Sequence, residues 1–270
     1  MEKWDIHPRV SVNPITSYNW TLEQDIEFYS SVGIHTIGIP HFKFSKREQE
    51  GIDKLKAAGF RCATLSTGGG CLIESGEQTL ANLKGAIDVA AALGAPTLYT
   101  VTGSTPPRMT TDDAYARLVE CLQPANSYAR DRGVRLAVEN TAVVTRNHGF
   151  IHTLADACDL ARDADISLTV ELQNSWYERN LDRLFRENVD RFAVVQVSDF
   201  MVGEPLLYNR RVPGDGTMPL EWMLERLLDA GYMGDFDLEL LGPEIEKEGY
   251  PSAIRRSVDW LSERLRSWGV

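Results

Sequence analysis

Short apolar runs alternate with longer amphipathic ones from end to end of this 270-residue chain, and that alternation constrains its fold more than any other feature. Strand candidates lie at 9–13, 36–40, 61–66, 97–101, 134–139, 166–171, 192–198 and 236–241. Helical period runs over 22–31, 48–58, 78–93, 112–132, 153–163, 180–186, 220–230 and 252–267. Eight of each in strict alternation means parallel strands joined by helical crossovers. Gly33, Gly59, Gly94, Gly133 and Gly231 each follow a helical run, where a helix wants a left-handed terminal residue. Thr111, with Asp112 and Asp113, offers acceptors to the free N–H groups at the start of the fourth helix.

The rival architecture is a doubly wound open sheet, which carries a glycine-rich phosphate turn after its first strand. Here that stretch reads Asn13-Pro14-Ile15-Thr16-Ser17-Tyr18. Eight repeats favour closure, and a barrel of roughly 250 residues leaves little chain over. The expected fold class is α/β, a single (β/α)8 TIM barrel. No low-complexity stretch, long charge run or Pro/Gly-rich linker divides the chain, so residues 1–270 are expected to form one domain.

Composition narrows the partners. A net charge of −11 argues against nucleic acid, whose phosphates reward a basic face. It leaves room for a small anionic ligand met by local arginines. No apolar run approaches the roughly 18 residues that span a bilayer, and the amino terminus lacks a secretory pattern, so a cytoplasmic location with no membrane partner is expected. Cys62, Cys71, Cys121 and Cys158 form no C-x-x-C pair and read as buried thiols.

In such a barrel, side chains at the carboxyl ends of the strands converge on one mouth. Four consecutive strand ends carry Glu139, Glu171, Gln196 and Glu239, separated by 32, 25 and 43 residues, each a plausible βα step. Side chains alternate along a strand, so Glu139 shares a face with Ala137 and Glu171 with Thr169. Leu136, Val138, Leu168 and Val170 then face the helices. Three converging carboxylates need a counter-charge. A divalent cation supplies one, and an all-oxygen donor set suits Mg²⁺ or Mn²⁺ better than zinc. The plainer alternative is that these groups cap helices or pair with arginines.

Lesser signals surround this set. Arg210 and Arg211 precede the turn Pro213-Gly214-Asp215-Gly216. Asp199 either steadies the Gln196 region or caps the following loop. His41 follows the second strand, where an imidazole could move a proton or hold a hydroxyl. His148 and His152 are expected to cap or line the next helix. Residues 66–70 read as a mobile glycine-rich loop without the lysine of a phosphate loop. Trp176 and Tyr177 could wall a sugar-sized pocket.

The stretches Gln196-Val-Ser-Asp199, Arg210 to Gly216 and Gly231 to Glu239 resemble the xylose-isomerase-like barrel superfamily of sugar isomerases and epimerases. The resemblance runs from the first helix to the last strand. It implies one Mn²⁺ or Mg²⁺ per chain on Glu139, Glu171, Gln196 and Glu239, with Glu139 and Glu239 as the acid/base pair. Gln196 matches the hydroxypyruvate-isomerase branch, where the wider family has histidine. The resemblance also implies that Arg210 contacts substrate oxygens. Two departures stand out: Glu171 replaces the usual aspartate, and Asn174 replaces a histidine at a substrate-contacting position.

The implied activity is isomerisation or epimerisation of a small polyhydroxy carbonyl compound, a keto sugar or inosose-like ring, through proton abstraction and a metal-stabilised enediolate. If the enediolate expels a β-substituent, the enzyme is instead a dehydratase or lyase acting on a keto sugar or keto-glycoside. A ligand-binding barrel with a degenerate site is the non-enzymatic alternative. Relatives are often dimers or tetramers, and nothing in the chain fixes an interface, so a homo-oligomer is left open.

Overall fold

The structure is a computed structural model that describes residues 2–68, 72–206 and 208–270. Among them, eight parallel strands close into a barrel in chain order. They are β1 (Val10–Val12), β2 (Thr36–Pro40), β3 (Arg61–Thr67), β4 (Thr97–Thr100), β5 (Arg135–Glu139), β6 (Ser167–Glu171), β7 (Phe192–Val197) and β8 (Phe236–Leu238). Closure runs through β1 and β8, where Val10 pairs Phe236, Ser11 pairs Asp237 and Val12 pairs Leu238. The expected (β/α)8 barrel is the observed one.

The crossovers are α1 (Leu22–Val32), α2 (Glu48–Ala57), α3 (Gly76–Leu93), α4 (Thr111–Arg130), α5 (Leu154–Asp163), α6 (Leu181–Asn188) and α7 (Leu220–Asp229), with α8 (Pro243–Glu248) and α9 (Tyr250–Ser267) after the last strand. The sequence reading has no counterpart of α8, which at six residues is too short to show a helical period. The five helix-ending glycines all adopt positive φ, as expected. Thr110, not Thr111, caps α4: its hydroxyl accepts from Asp113 N, and Thr111 is already helical. On α1, Thr21 and Gln24 form a reciprocal capping box.

Leu136, Val138, Leu168 and Val170 are buried in the main apolar core, as the alternation requires. Parallel strands covered on both faces normally read as continuous apolar runs. Ser11, Asn13, Thr64, Thr97, Thr169 and Asp237 break that rule, being polar and almost fully buried. Cys62, Cys121 and Cys158 are buried, and burial pushes the Cys62 and Cys158 thiols up to about 12. Cys71, Gly69 and Gly70 lie outside the described residues. Among the described residues, no helix is long and apolar enough to cross a membrane.

Candidate active site

The barrel register brings the four strand ends together. Glu139 stands opposite Thr169, Glu171 opposite Gln196, and Gln196 opposite Asp237. Glu239 lies one residue past β8, its N–H donating to Val197 O at 3.1 Å. Glu171 and Gln196 are wholly buried, Glu239 nearly so, and Glu139 half-buried.

The counter-charge in this cluster is Arg210. Its Nη1 lies 2.9 Å from Glu171 Oε2 and 3.0 Å from Glu239 Oε1, and it donates to Glu239 O at 2.7 Å. The loop behind Arg210 is built for this. Asp199 accepts from the N–H groups of Phe200, Gly214, Gly216 and Met218, so it caps the Pro213–Gly216 turn rather than steadying Gln196. Any side chain at Gly216 would collide with that carboxylate. Arg211 anchors the loop from outside through Glu204 at 2.8 Å.

Glu239 Oε2 takes donors from Gln196 Nε2, from Tyr99 OH at 3.3 Å and from Asn13 Nδ2 at 3.5 Å. Beneath it, Asn13 Nδ2 donates to Asp237 Oδ2 at 2.9 Å and Ser11 Oγ to Asp237 Oδ1 at 2.5 Å. Asp237 fits only because residue 38 is glycine, since a Cβ there would strike its carboxylate. Asn140 braces β6 by accepting from Glu171 N at 3.0 Å and donating to Ser175 Oγ at 2.9 Å. Sequence reasoning missed Asn13, Tyr99, Asn140 and Asp237. The available signal was the polar residue at alternate positions of strands that should be apolar throughout.

Three carboxylates face one guanidinium, and the imbalance shows in their protonation. Burial, then the charges of Glu239 and Glu171, push the Glu139 carboxyl well above its ordinary range against the pull of Arg210. Burial outweighs Arg210 at Glu171 and raises it to about 7. Asp237 is raised to about 7 by burial, against the hydrogen bonds from Ser11 and Asn13. Burial disfavours the Arg210 charge, but the three glutamates hold the guanidinium protonated.

The donor chemistry suits a hard divalent cation: three carboxylates, one amide, and two buried oxygens, Glu171 Oε2 and Gln196 Oε1, that accept no hydrogen bond. Arg210 approaches Glu171 Oε2 closely without an aligned hydrogen bond, so that oxygen keeps its capacity. Among the described residues, no three acidic, thiol or imidazole groups already form a cation cage. A cation and the guanidinium would therefore share Glu171 and Glu239.

A cavity of about 610 Å³ opens above this cluster. Glu139, Glu239, Arg210, Asn174 and His41 line it, whereas Glu171 and Gln196 do not reach its wall. Asn174 Nδ2 is already donated to Asn140 O at 2.9 Å, which makes it a brace as well as a wall residue. His41 Nε2 sits 3.8 Å from Glu48 Oε1 at the rim. His148 lines the cavity beside Tyr208, contrary to its expected place at the next helix, because its loop folds back so that Gly103 N bonds His148 O at 2.8 Å. Trp176 and Tyr177 line a neighbouring hollow of about 370 Å³ that shares Asn174.

The sequence pattern of the Xylose isomerase-like TIM barrel matches residues 26–264. The chain belongs to that family. An inosose isomerase of Halalkalibacterium halodurans is 24% identical over 194 residues, covering 69% of this chain and 68% of the relative. The solved structure of an IolI protein with a bound zinc atom superposes with a TM-score of 0.81 at 17% identity, covering 96% of this chain and 98% of the other. The apo 3-keto-D-glucoside 4-epimerase YcjR of E. coli gives a TM-score of 0.73 at 20% identity, covering 94% of this chain and 98% of that one. These structural likenesses establish the shared fold of this xylose isomerase-like barrel.

Proposed function

We propose that this xylose isomerase-like barrel is an isomerase or epimerase of a small polyhydroxy carbonyl compound, a keto sugar or inosose-like ring. One observation carries the reading: two carboxyl groups in unlike settings share one cavity. Glu239 is fixed by donors from Arg210, Gln196, Tyr99 and Asn13, which suits a positioned base. Glu139 lines the cavity with its carboxyl pushed upward by burial, which suits a group that delivers a proton. Proton removal beside the carbonyl by one and return by the other inverts a carbon or shifts the carbonyl. Arg210 can turn its donors toward the substrate oxygens.

Glu139, Glu171, Gln196 and Glu239 would hold one Mn²⁺ or Mg²⁺ per chain, a reading supported by their oxygen-only donors and by the zinc atom in the IolI structure. Such a cation supplies positive charge against the negative charge that grows on the substrate oxygens. The substrate class is supported by the inosose isomerase and by the keto-glucoside epimerase. The reading takes residues 1–270 as one domain acting in the cytoplasm on a small molecule, without nucleic acid.

The test is exchange of the substrate α-proton with solvent deuterium, followed by NMR with a panel of ketoses, inososes and keto-glycosides. Wild type should exchange it, and Glu139→Gln and Glu239→Gln should each slow exchange by at least about 100-fold. Normal exchange in both variants would put the bases elsewhere.

A further inference from the structure

Tyr18 and Phe42 line the same cavity as Glu139 and Glu239, yet they are 53% and 49% exposed. Their rings lie 5.5 Å apart, tilted by 49°. Single exposed aromatics are ordinary on a protein surface. This pair is different because both rings sit on one rigid mount. Lys43, next to Phe42, is buried with its Nζ 2.8 Å from Asp25 Oδ2, and it donates to Ser17 O at 2.8 Å and Trp20 O at 2.7 Å. Ser17, next to Tyr18, donates its hydroxyl to Asp25 Oδ1 at 2.5 Å. A single buried ammonium thus ties together the two loops that carry the rings. Burying an ion pair contributes little net stability, so its effect here is to fix position.

Resting on the isomerase reading above, we infer that Tyr18 and Phe42 form a second subsite, an aromatic shelf that holds the second ring of a glycosidic substrate. Two further observations support it. The volume of about 610 Å³ falls in the range of drug-sized ligand sites, roughly 300–1,000 Å³, and exceeds the needs of one free monosaccharide. Among the described residues lining the cavity, Arg210 is the sole lysine or arginine, against the carboxylates Glu139, Glu239 and Glu246, so the cavity does not suit a phosphorylated sugar. What fits is a neutral glycoside. Its reacting ring lies over Glu139 and Glu239, and its second ring sets an apolar face on Tyr18 and Phe42.

The experiment is calorimetric titration of three non-reacting probes: methyl β-D-glucoside, cellobiose and phenyl β-D-glucoside. Wild type should bind at least one two-ring probe about tenfold more tightly than the methyl glucoside. Preference for cellobiose identifies a sugar as the second ring, and preference for the phenyl glucoside an aryl group. Phe42→Ala and Tyr18→Ala should each erase most of that advantage. Should an alanine variant fail to fold, the leucine variant keeps the bulk, loses the ring face and should behave likewise. Equal affinity for all three probes, no binding of the two-ring probes, or an advantage that survives the substitutions would overturn the shelf. Binding needs no turnover, so a wild type that fails to exchange the α-proton sinks the isomerase reading while the affinity ratio still judges the shelf.

Discussion

Two buried ionic groups stand close to the mouth of this barrel, and they are built on opposite plans. Lys43 and Asp25 are matched one to one, each with a side chain 2% exposed, and the ammonium has three oxygen neighbours for its three donors. Arg210 instead serves Glu171 and Glu239 with Glu139 nearby, so three carboxylates face one guanidinium. The balanced group holds two loops in place. The unbalanced one keeps more negative than positive charge, a condition that recurs at functional sites.

The largest effect should come from removing the cation of the unbalanced group. Arg210→Met leaves two buried carboxylates without a cation and should cost about 5 kcal/mol at pH 8, at the upper end for a broken buried pair. Part of that loss should return as pH falls, over a range that starts above the wild-type value of about 7, because losing Arg210 raises the Glu171 carboxyl further. Urea unfolding at the two pH values measures both. An equal loss at pH 8 and pH 5.5 would remove the distinction between the two groups.

Lys43→Met should cost about 3 kcal/mol, and adding Asp25→Leu should restore most of it, because a matched pair can be exchanged for apolar contact. If the double variant stays as unstable as the single one, the pair does more than hold shape.

Much of this comparison was invisible in the sequence, for a physical reason. Alternation and helix-ending glycines are local signals, and they exposed the barrel and the four strand ends. Pairing with unspecified arginines stands in the sequence only as the plainer alternative, and Arg210 is not singled out as the counter-ion, since nothing local ties it to Glu171 and its contact with Glu239 spans 29 residues. The contact of Asn13 with Asp237 spans 224 residues. Such contacts depend on barrel closure and register, which no local pattern encodes. Glu171 is one methylene longer than an aspartate. Its Oε1 accepts from Gln173 N at 3.0 Å, so the side chain caps its own following turn and does not reach the cavity wall.

A smaller effect tests the polar layer beneath the site. Gly38→Ala should cost about 2 kcal/mol by overpacking against Asp237 and, through Asn13, should lower turnover by disturbing Glu239. Combining it with Asp237→Ala should cost less than the sum of the two single changes. Strict additivity would mean that the two residues do not touch.

A further effect lies in the pH dependence. Burial outweighs Lys43 and raises Asp25 to about 6, so the folded state binds its proton more tightly than the unfolded chain does. That contribution is fully present at low pH and is lost as pH rises from about 4 to about 6, with a slope of no more than about 1.4 kcal/mol per unit. Glu171 and Asp237 extend the decline to about 7. Asp25→Asn should flatten only the lower part of the curve, which unfolding free energies across that range will show.

The central claim is that the unbalanced cluster is the functional site and accepts a divalent cation. Calorimetric titration of Mn²⁺ into wild type and Glu171→Ala tests it most directly. Wild type should bind about one ion per chain, and Glu171→Ala should lose at least about tenfold in affinity. Binding of equal strength in both proteins, or no binding by wild type, would contradict it.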